Sequence, residues 1–172
     1  EMLPYKRFFK PLIGNFMLNL GGTVHGRTPQ KNRSLFVSSI GDKFASIICY
    51  ESIYGSFVRK FSLNGAEFFT IISNDAWWGE TEGHRQLLSY SKLRAIENRV
   101  SIIRSSNTGI SGVIKPSGKV TRKIPIGFQS VFAEKINLVN HGSYYSINGD
   151  IFAKICIAIL FIMIFTRCFI KV

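Results

Sequence analysis

Phe44-Ala45-Ser46-Ile47-Ile48-Cys49-Tyr50-Glu51-Ser52 is a short apolar run that ends on a thiol, a ring, a carboxyl and a hydroxyl. Short apolar runs bounded by turn signals read as buried strands. The pattern predicts a strand over Phe44–Tyr50, joined through Gly41-Asp42 to another over Ser34–Ile40. A helix over Ile53–Leu63 follows, and Asn64-Gly65 stops it. Cys49 then falls where a strand hands over to a helix. A helix N-terminus there favours the thiolate, the nucleophilic form of cysteine. Cysteine is also among the most buried residue types, and on these residues alone a core cysteine beneath a sheet is the stronger reading.

Outward from this stretch the same grammar repeats. Phe68–Ser73 is a short apolar strand, and Ser73-Asn74-Asp75-Ala76-Trp77-Trp78-Gly79 follows it at once. Polar groups at the ends of adjacent strands meet in one crevice. The plainer reading is a turn whose Asx side chains cap the next helix, with tryptophan as filler. That helix is predicted over Thr81–Arg99 with Thr81 as its cap. Leu87, Tyr90, Ser91 and Arg94 trace one face, and Leu88, Leu93 and Ile96 another. Arg94 and Glu97 are helix neighbours placed to pair on its surface. Val100–Arg104 is the next strand. Gly109–Ile114 and Lys119–Ile124 form a hairpin about Pro116-Ser117-Gly118, and Val131–Leu138 is a last strand. Asn107-Thr108-Gly109 reads as a turn. His25, His84 and His141 carry no signal. Strands alternating with helices make this an α/β protein, a mixed sandwich.

The chain of 172 residues has a net charge of +12 and is 46% hydrophobic. That hydrophobic content excludes a disordered chain. The basic residues are scattered, with no zinc-finger spacing, RNP1-like run or basic zipper, so no nucleic-acid partner is expected. An anionic membrane surface suits the charge better. Ile151–Ile170 is apolar on every face, with Lys154 and Arg167 near its ends, and is read as a transmembrane helix whose charges snorkel. Arg167 and Lys171 place its far end in the cytoplasm and the preceding domain outside. Of the three cysteines, Cys156 and Cys168 belong to that segment, which leaves Cys49 without an internal disulfide partner. The chain starts at Glu1, and Glu1–Phe16 lacks the uninterrupted apolar core of a signal peptide. It is expected to be a piece of something longer. Met2–Ser34 is read as irregular loops with a short helix near Phe8.

In combination, Cys49-Tyr50-Glu51-Ser52, Ser73–Thr81, Arg94–Arg99 and Arg104–Ser111 resemble the nitrilase superfamily, and more closely the apolipoprotein N-acyltransferases. The resemblance runs from Glu1 to the terminal apolar segment. It implies a nitrilase-like α-β-β-α sandwich, present in part over residues 1–148, followed by one C-terminal transmembrane helix in 149–172. It makes Cys49 the nucleophile and Glu51 a support of the active site. Glu1, with Pro4, matches a Glu-x-x-Pro segment whose glutamate lines the site. Asn74, Trp77 and Trp78 match a motif at the mouth of the substrate pocket, and Tyr50 and Asn107 join them as candidate substrate contacts. The family's general-base glutamate and catalytic lysine precede the Glu-x-x-Pro segment, and Lys6 and Lys10 come too late to match that lysine. This piece alone is therefore expected to be inactive. The implied partners are a phospholipid acyl donor, the lipidated N-terminus of an apolipoprotein, and the bacterial inner membrane, with the catalytic domain on its periplasmic side. No metal and no cofactor is expected. A nitrilase-type amidase and a non-catalytic membrane protein of the same fold are the alternatives.

Overall fold

The computed structural model describes Gln30 and residues 32–79, 81–139 and 142–169. The chain divides into two compact units, Glu1–Asn32 and Arg33–Val172. The expectations for Glu1, Pro4, Lys6, Lys10, the helix near Phe8, His25 and His141 lie outside the described residues.

The second unit is built on the strands β1 (Phe36–Val37), β2 (Lys43–Ile48), β3 (Phe68–Ser73), β4 (Ser101–Ser106), β5 (Ser111–Ile114) and β6 (Val120–Ile124). They form one six-stranded sheet in that order. β2, β3 and β4 run parallel, and the flanking pairs are antiparallel. The parallel joins need crossovers, and the helices α1 (Gly55–Leu63) and α2 (Gly83–Asn98) supply them. Strand alternation sends Ala45 and Ile47, Phe69 and Ile71, and Ile102 into one core with Val58 and Phe61 of α1 and Leu88 and Ala95 of α2. Each large apolar side chain buried there contributes about 1.5–3 kcal/mol.

The other face of the sheet is much more open. Ile48 and Ile72 are 57% and 56% exposed, and with Phe44 and Ile103 they belong to a largely apolar stretch of sheet surface. The described residues thus hold one sheet and one layer of helices, half of the four-layer sandwich that the sequence implies.

Strand expectations hold best where the apolar run is sharply bounded. β3 spans Phe68–Ser73 as predicted, and the β5–β6 hairpin closes at Gly118, whose N–H donates to Lys115 O at 2.8 Å. The strand expected over Ser34–Ile40 shrinks to Phe36–Val37. No strand forms at Val131–Leu138. Val131 is 97% exposed, and the segment is held instead by Ser101 Oγ donating to Asn137 O at 3.0 Å. The two faces read on α2 do not separate by burial: Leu87, Leu88, Ser91 and Arg94 are buried, whereas Tyr90, Leu93 and Ile96 face outward. Thr81 sits before the helix. Its hydroxyl donates to Trp78 O at 2.6 Å and accepts from Gly83 N at 3.4 Å.

The Arg94–Glu97 pair is not a surface pair. Its N–O distance is 3.0 Å, and the side chains are only 5% and 17% exposed. Arg94 Nη1 also donates to Ile53 O at 3.2 Å, and the Ser143 hydroxyl donates to the Glu97 carbonyl. The pair therefore stands where α1 and α2 meet the short helix α3 (Tyr144–Asn148). Arg59 ties α3 down from its C-terminal end, Nη1 donating to Ser146 O at 2.8 Å. Burial raises the Glu97 pKa. Arg94 opposes that shift, and Asp150 adds to it. A carboxyl with a raised folded pKa binds more protons folded than unfolded, so stability falls as pH rises through that range. Compared with Glu97→Gln, the protein should lose thermal stability progressively as pH rises from the ordinary glutamate range toward neutrality. Paired melting curves from pH 4 to 7 check this, and a stability difference independent of pH would contradict it.

The last helix, α4 (Ile151–Phe169), is continuous, and every described side chain on it, from Ile151 to Arg167, is exposed. Among the described residues no helix is long and apolar enough to cross a membrane. The expected span over Ile151–Ile170 is not confirmed by this helix, whose uninterrupted apolar part, Ile155–Phe165, lies between Lys154 and Arg167.

Candidate active site

The C-terminal ends of β2, β3 and β4 lie side by side, with Ile48 opposite Ile72 and Ser73 opposite Ser106. The segments leaving these ends carry Cys49, the Asn74–Trp78 motif and Asn107, so the three sequence blocks converge at one edge of the sheet.

Cys49 is the first residue after β2. The chain turns there into a 3-10 helix over Cys49–Ile53, so α1 begins only at Gly55. Cys49 has φ +49°, in the left-handed region that non-glycine residues rarely adopt. Such a backbone costs on the order of 1–2 kcal/mol and is held by its surroundings. The holding groups are visible. Glu51 Oε2 accepts from Ile48 N at 2.8 Å, and Ser52 Oγ donates to Cys49 O at 2.7 Å. The Cys49 residue is 8% exposed, and its sulfur lies 3.5 Å from Ser73 Oγ.

Behind Ser73 stands a buried ion pair that sequence reasoning missed. Asp75 Oδ2 accepts from Arg104 Nη2 at 2.7 Å, and both side chains are fully buried. Arg104 spends its other donors on Ile110 O at 3.1 Å and Ser91 Oγ at 3.2 Å. The second carboxylate oxygen of Asp75 accepts the Ser73 hydroxyl. Gly109 packs so tightly on this carboxylate that a Cβ there would collide with Asp75 Oδ2. The sequence signal was an arginine at the inward-facing phase of β4, two residues beyond the inward-facing Ile102. A charged side chain at a core position calls for a partner.

The two tryptophans divide. Trp78 stacks on Tyr50 with ring centroids 6.0 Å apart and leans on Gly83, where a Cβ would collide with the indole. Trp77 is 65% exposed at the rim. Asn74 and Asn107 lace the two loops together. Asn107 Nδ2 donates to Asn74 Oδ1 at 2.7 Å, and Asn107 Oδ1 accepts from Asp75 N at 3.1 Å. Asn74 also accepts from Ala76 N at 3.2 Å, so the capping expected of the Asx pair falls to Asn74 and not to Asp75. Cys49, Glu51, Tyr50, Asn74, Trp77, Trp78 and Asn107 thus gather at one edge, and Glu1 lies outside the described residues.

A family model described as carbon–nitrogen hydrolase matches residues 8–144. The chain belongs to the carbon–nitrogen hydrolase family. Its α/β fold is accordingly nitrilase-like. Among curated relatives, the apolipoprotein N-acyltransferase of Chlorobaculum tepidum is 30% identical over 162 residues, 92% of this chain and 30% of that protein. The apolipoprotein N-acyltransferase of Wigglesworthia glossinidia brevipalpis is 30% identical over 175 residues, 99% of this chain and 34% of that one. The chain therefore spans about a third of the length of these relatives. Among solved structures, a carbon–nitrogen hydrolase from Helicobacter pylori aligns at TM-score 0.49 and 17% identity, over 58% of this chain and 41% of that one.

Proposed function

We propose that this chain is the cysteine-bearing part of an apolipoprotein N-acyltransferase, which moves a fatty acyl group from a phospholipid to the N-terminal amine of a lipoprotein. One observation carries the reading. The carbon–nitrogen hydrolase match ends at residue 144, whereas the likeness to the Wigglesworthia N-acyltransferase covers 99% of the chain, the terminal apolar helix included. A helix with exposed apolar side chains on all sides is costly in water and suits lipid. On this reading residues 1–148 belong to the catalytic domain and 149–172 to a membrane helix with a short tail. Arg167 and Lys171 then put the tail in the cytoplasm and the catalytic domain on the periplasmic side of the bacterial inner membrane.

The chemistry is two acyl transfers through one sulfur. The Cys49 thiolate attacks the ester carbonyl of the phospholipid. The C–O bond breaks, lysophospholipid leaves with a proton, and a thioester remains. The amine of the lipoprotein's lipidated N-terminus attacks the thioester, the C–S bond breaks, an amide forms and the thiol is restored. The family resemblance assigns the proton transfers to a glutamate and the oxyanion to a lysine, both upstream of Glu1 in the family pattern. Glu51 fixes the backbone entering Cys49. Tyr50 and Trp78 form an apolar wall beside the nucleophile. Trp77 meets the acyl chain at the mouth, and Asn74 and Asn107 hold the rim in shape. No metal or cofactor enters this scheme.

The test uses membranes carrying the full-length protein, a phospholipid with a labelled acyl chain and a diacylglyceryl peptide. Label is expected in an amide at the peptide N-terminus. Release of ammonia from small amides, with no label on the peptide, would instead make the protein an amidase.

A further inference from the structure

No α-helix begins at Cys49 itself: a 3-10 turn over Cys49–Ile53 comes first, and α1 starts at Gly55. What does touch the sulfur is a hydroxyl. Ser73 is 4% exposed, and its Oγ lies 3.5 Å from Cys49 Sγ while also contacting Asp75 Oδ1. A serine hydroxyl has one hydrogen and two lone pairs, so it donates to only one of these neighbours. The carboxylate is the stronger acceptor, and the shorter contact is to it. The hydroxyl therefore turns its hydrogen to Asp75 and a lone pair to the sulfur, where it receives the Cys49 S–H. Asp75 cannot swing away, because Arg104 holds its other oxygen at 2.7 Å and is itself pinned to Ile110 O and Ser91 Oγ.

We propose that Ser73 is the positioning residue of the nucleophile: held by the buried Asp75–Arg104 pair, its hydroxyl sets the direction of the Cys49 sulfur. In the resting thiol the order of donation is Cys49 to Ser73 to Asp75. When a base takes the thiol proton, the same hydroxyl turns its hydrogen to the thiolate, and Asp75 stays paired through Oδ2. Bonds linked in this way strengthen one another in a buried site. The strained backbone at Cys49 fits the role, since φ +49° aims the side chain from a fixed point and leaves its final direction to the neighbour it touches.

This inference rests on Cys49 being the nucleophile of the proposed reaction. The test compares Ser73→Thr, which keeps the hydroxyl, with Ser73→Val, which has nearly the shape of that threonine without its hydroxyl, both in the full-length protein in its membranes. The readouts are the rate of Cys49 alkylation by iodoacetamide across pH, acyl transfer to the peptide, and thermal stability. Ser73→Val should slow alkylation at neutral pH about tenfold while the protein stays folded. Ser73→Thr should restore the wild-type rate and pH profile. Ser73→Ala, which adds no methyl groups, takes the place of Ser73→Val if the latter does not fold. Unchanged alkylation in the variant without the hydroxyl, or a folded Ser73→Thr as slow as Ser73→Val, overturns the proposal. If the wild type alkylates at Cys49 and responds to Ser73 as described, yet never transfers acyl groups, the acyltransferase reading fails and the positioning role stands.

Discussion

A Cys49→Ala variant of the full-length protein should fold as the wild type does and lose acyl transfer by on the order of 10⁴-fold or more. The expectation follows from what each atom contributes. The sulfur is the attacking atom, and nothing else among the described residues at the strand ends replaces it. The backbone at Cys49 is fixed by Glu51 and Ser52, whose bonds go to main-chain groups and survive the substitution. Alanine inherits φ +49° with its strain unchanged, so the melting temperature should move by only a few degrees. Cys49→Ser should be nearly as inactive, because a serine hydroxyl is a far weaker acid than a thiol and a carboxylate base leaves it un-ionised and weakly nucleophilic at neutral pH. Acyl transfer to a diacylglyceryl peptide, beside a melting curve, checks both variants. Residual transfer above about 1% of wild type in Cys49→Ala would mean that the acyl group never rests on this sulfur.

Arg104→Ala should produce the largest loss of stability. Asp75 and Arg104 are fully buried and 2.7 Å apart. A buried ion pair contributes little net stability when intact, but removing one partner strands the other charge away from water, at a cost of about 3–5 kcal/mol. In a domain of this size that lowers the melting temperature by roughly 10 °C. Arg104→Ala also frees Ile110 O and Ser91 Oγ, so it should be worse than Asp75→Asn, which keeps a polar acceptor against the arginine. The Asp75→Ala, Arg104→Met double variant should be more stable than Arg104→Ala alone, since neither charge is stranded. Thermal melts of the wild type and these variants measure this. A double variant less stable than Arg104→Ala would show that the pair is worth more than desolvation allows. Acyl transfer should also fall in Asp75→Asn while its fold is retained, because Ser73 loses its charged acceptor.

How much of the molecule is legible in the sequence depends on which force decides each feature. Hydrophobic alternation and turn chemistry are local, and they gave β3, the β5–β6 hairpin and the α1–β3 boundary at Asn64-Gly65 almost to the residue. Val131–Leu138 has the composition of a strand, but a strand exists only where a neighbour pairs with it, and none does here. The convergence of Cys49, Asn74 and Asn107 was legible because residues that follow parallel strands end on the same edge of a sheet. Ser73 and Arg104 were not. Both stood at the start of the blocks that follow β3 and β4 but were given no role, because what they do rests on side-chain contacts across 24 residues, from Ser73 to Cys49, and 29 residues, from Arg104 to Asp75. Asp75 was visible but was read as a helix cap, the commoner use of an Asp in that setting. The helix expected to begin at Ile53 fell short for a related reason: the Cys49–Ile53 turn is set by Glu51 reaching back to Ile48 N, a bond that no periodicity announces.

Whether the acyl group rests on Cys49 is decided by the mass of the Cys49 peptide after membranes with the full-length protein are incubated with phospholipid. The expected result is a fatty-acyl adduct on Cys49 that hydroxylamine removes, that Cys49→Ala lacks and that disappears when the acceptor peptide is added. An unmodified Cys49 in protein that still transfers acyl groups to the peptide would contradict the covalent route.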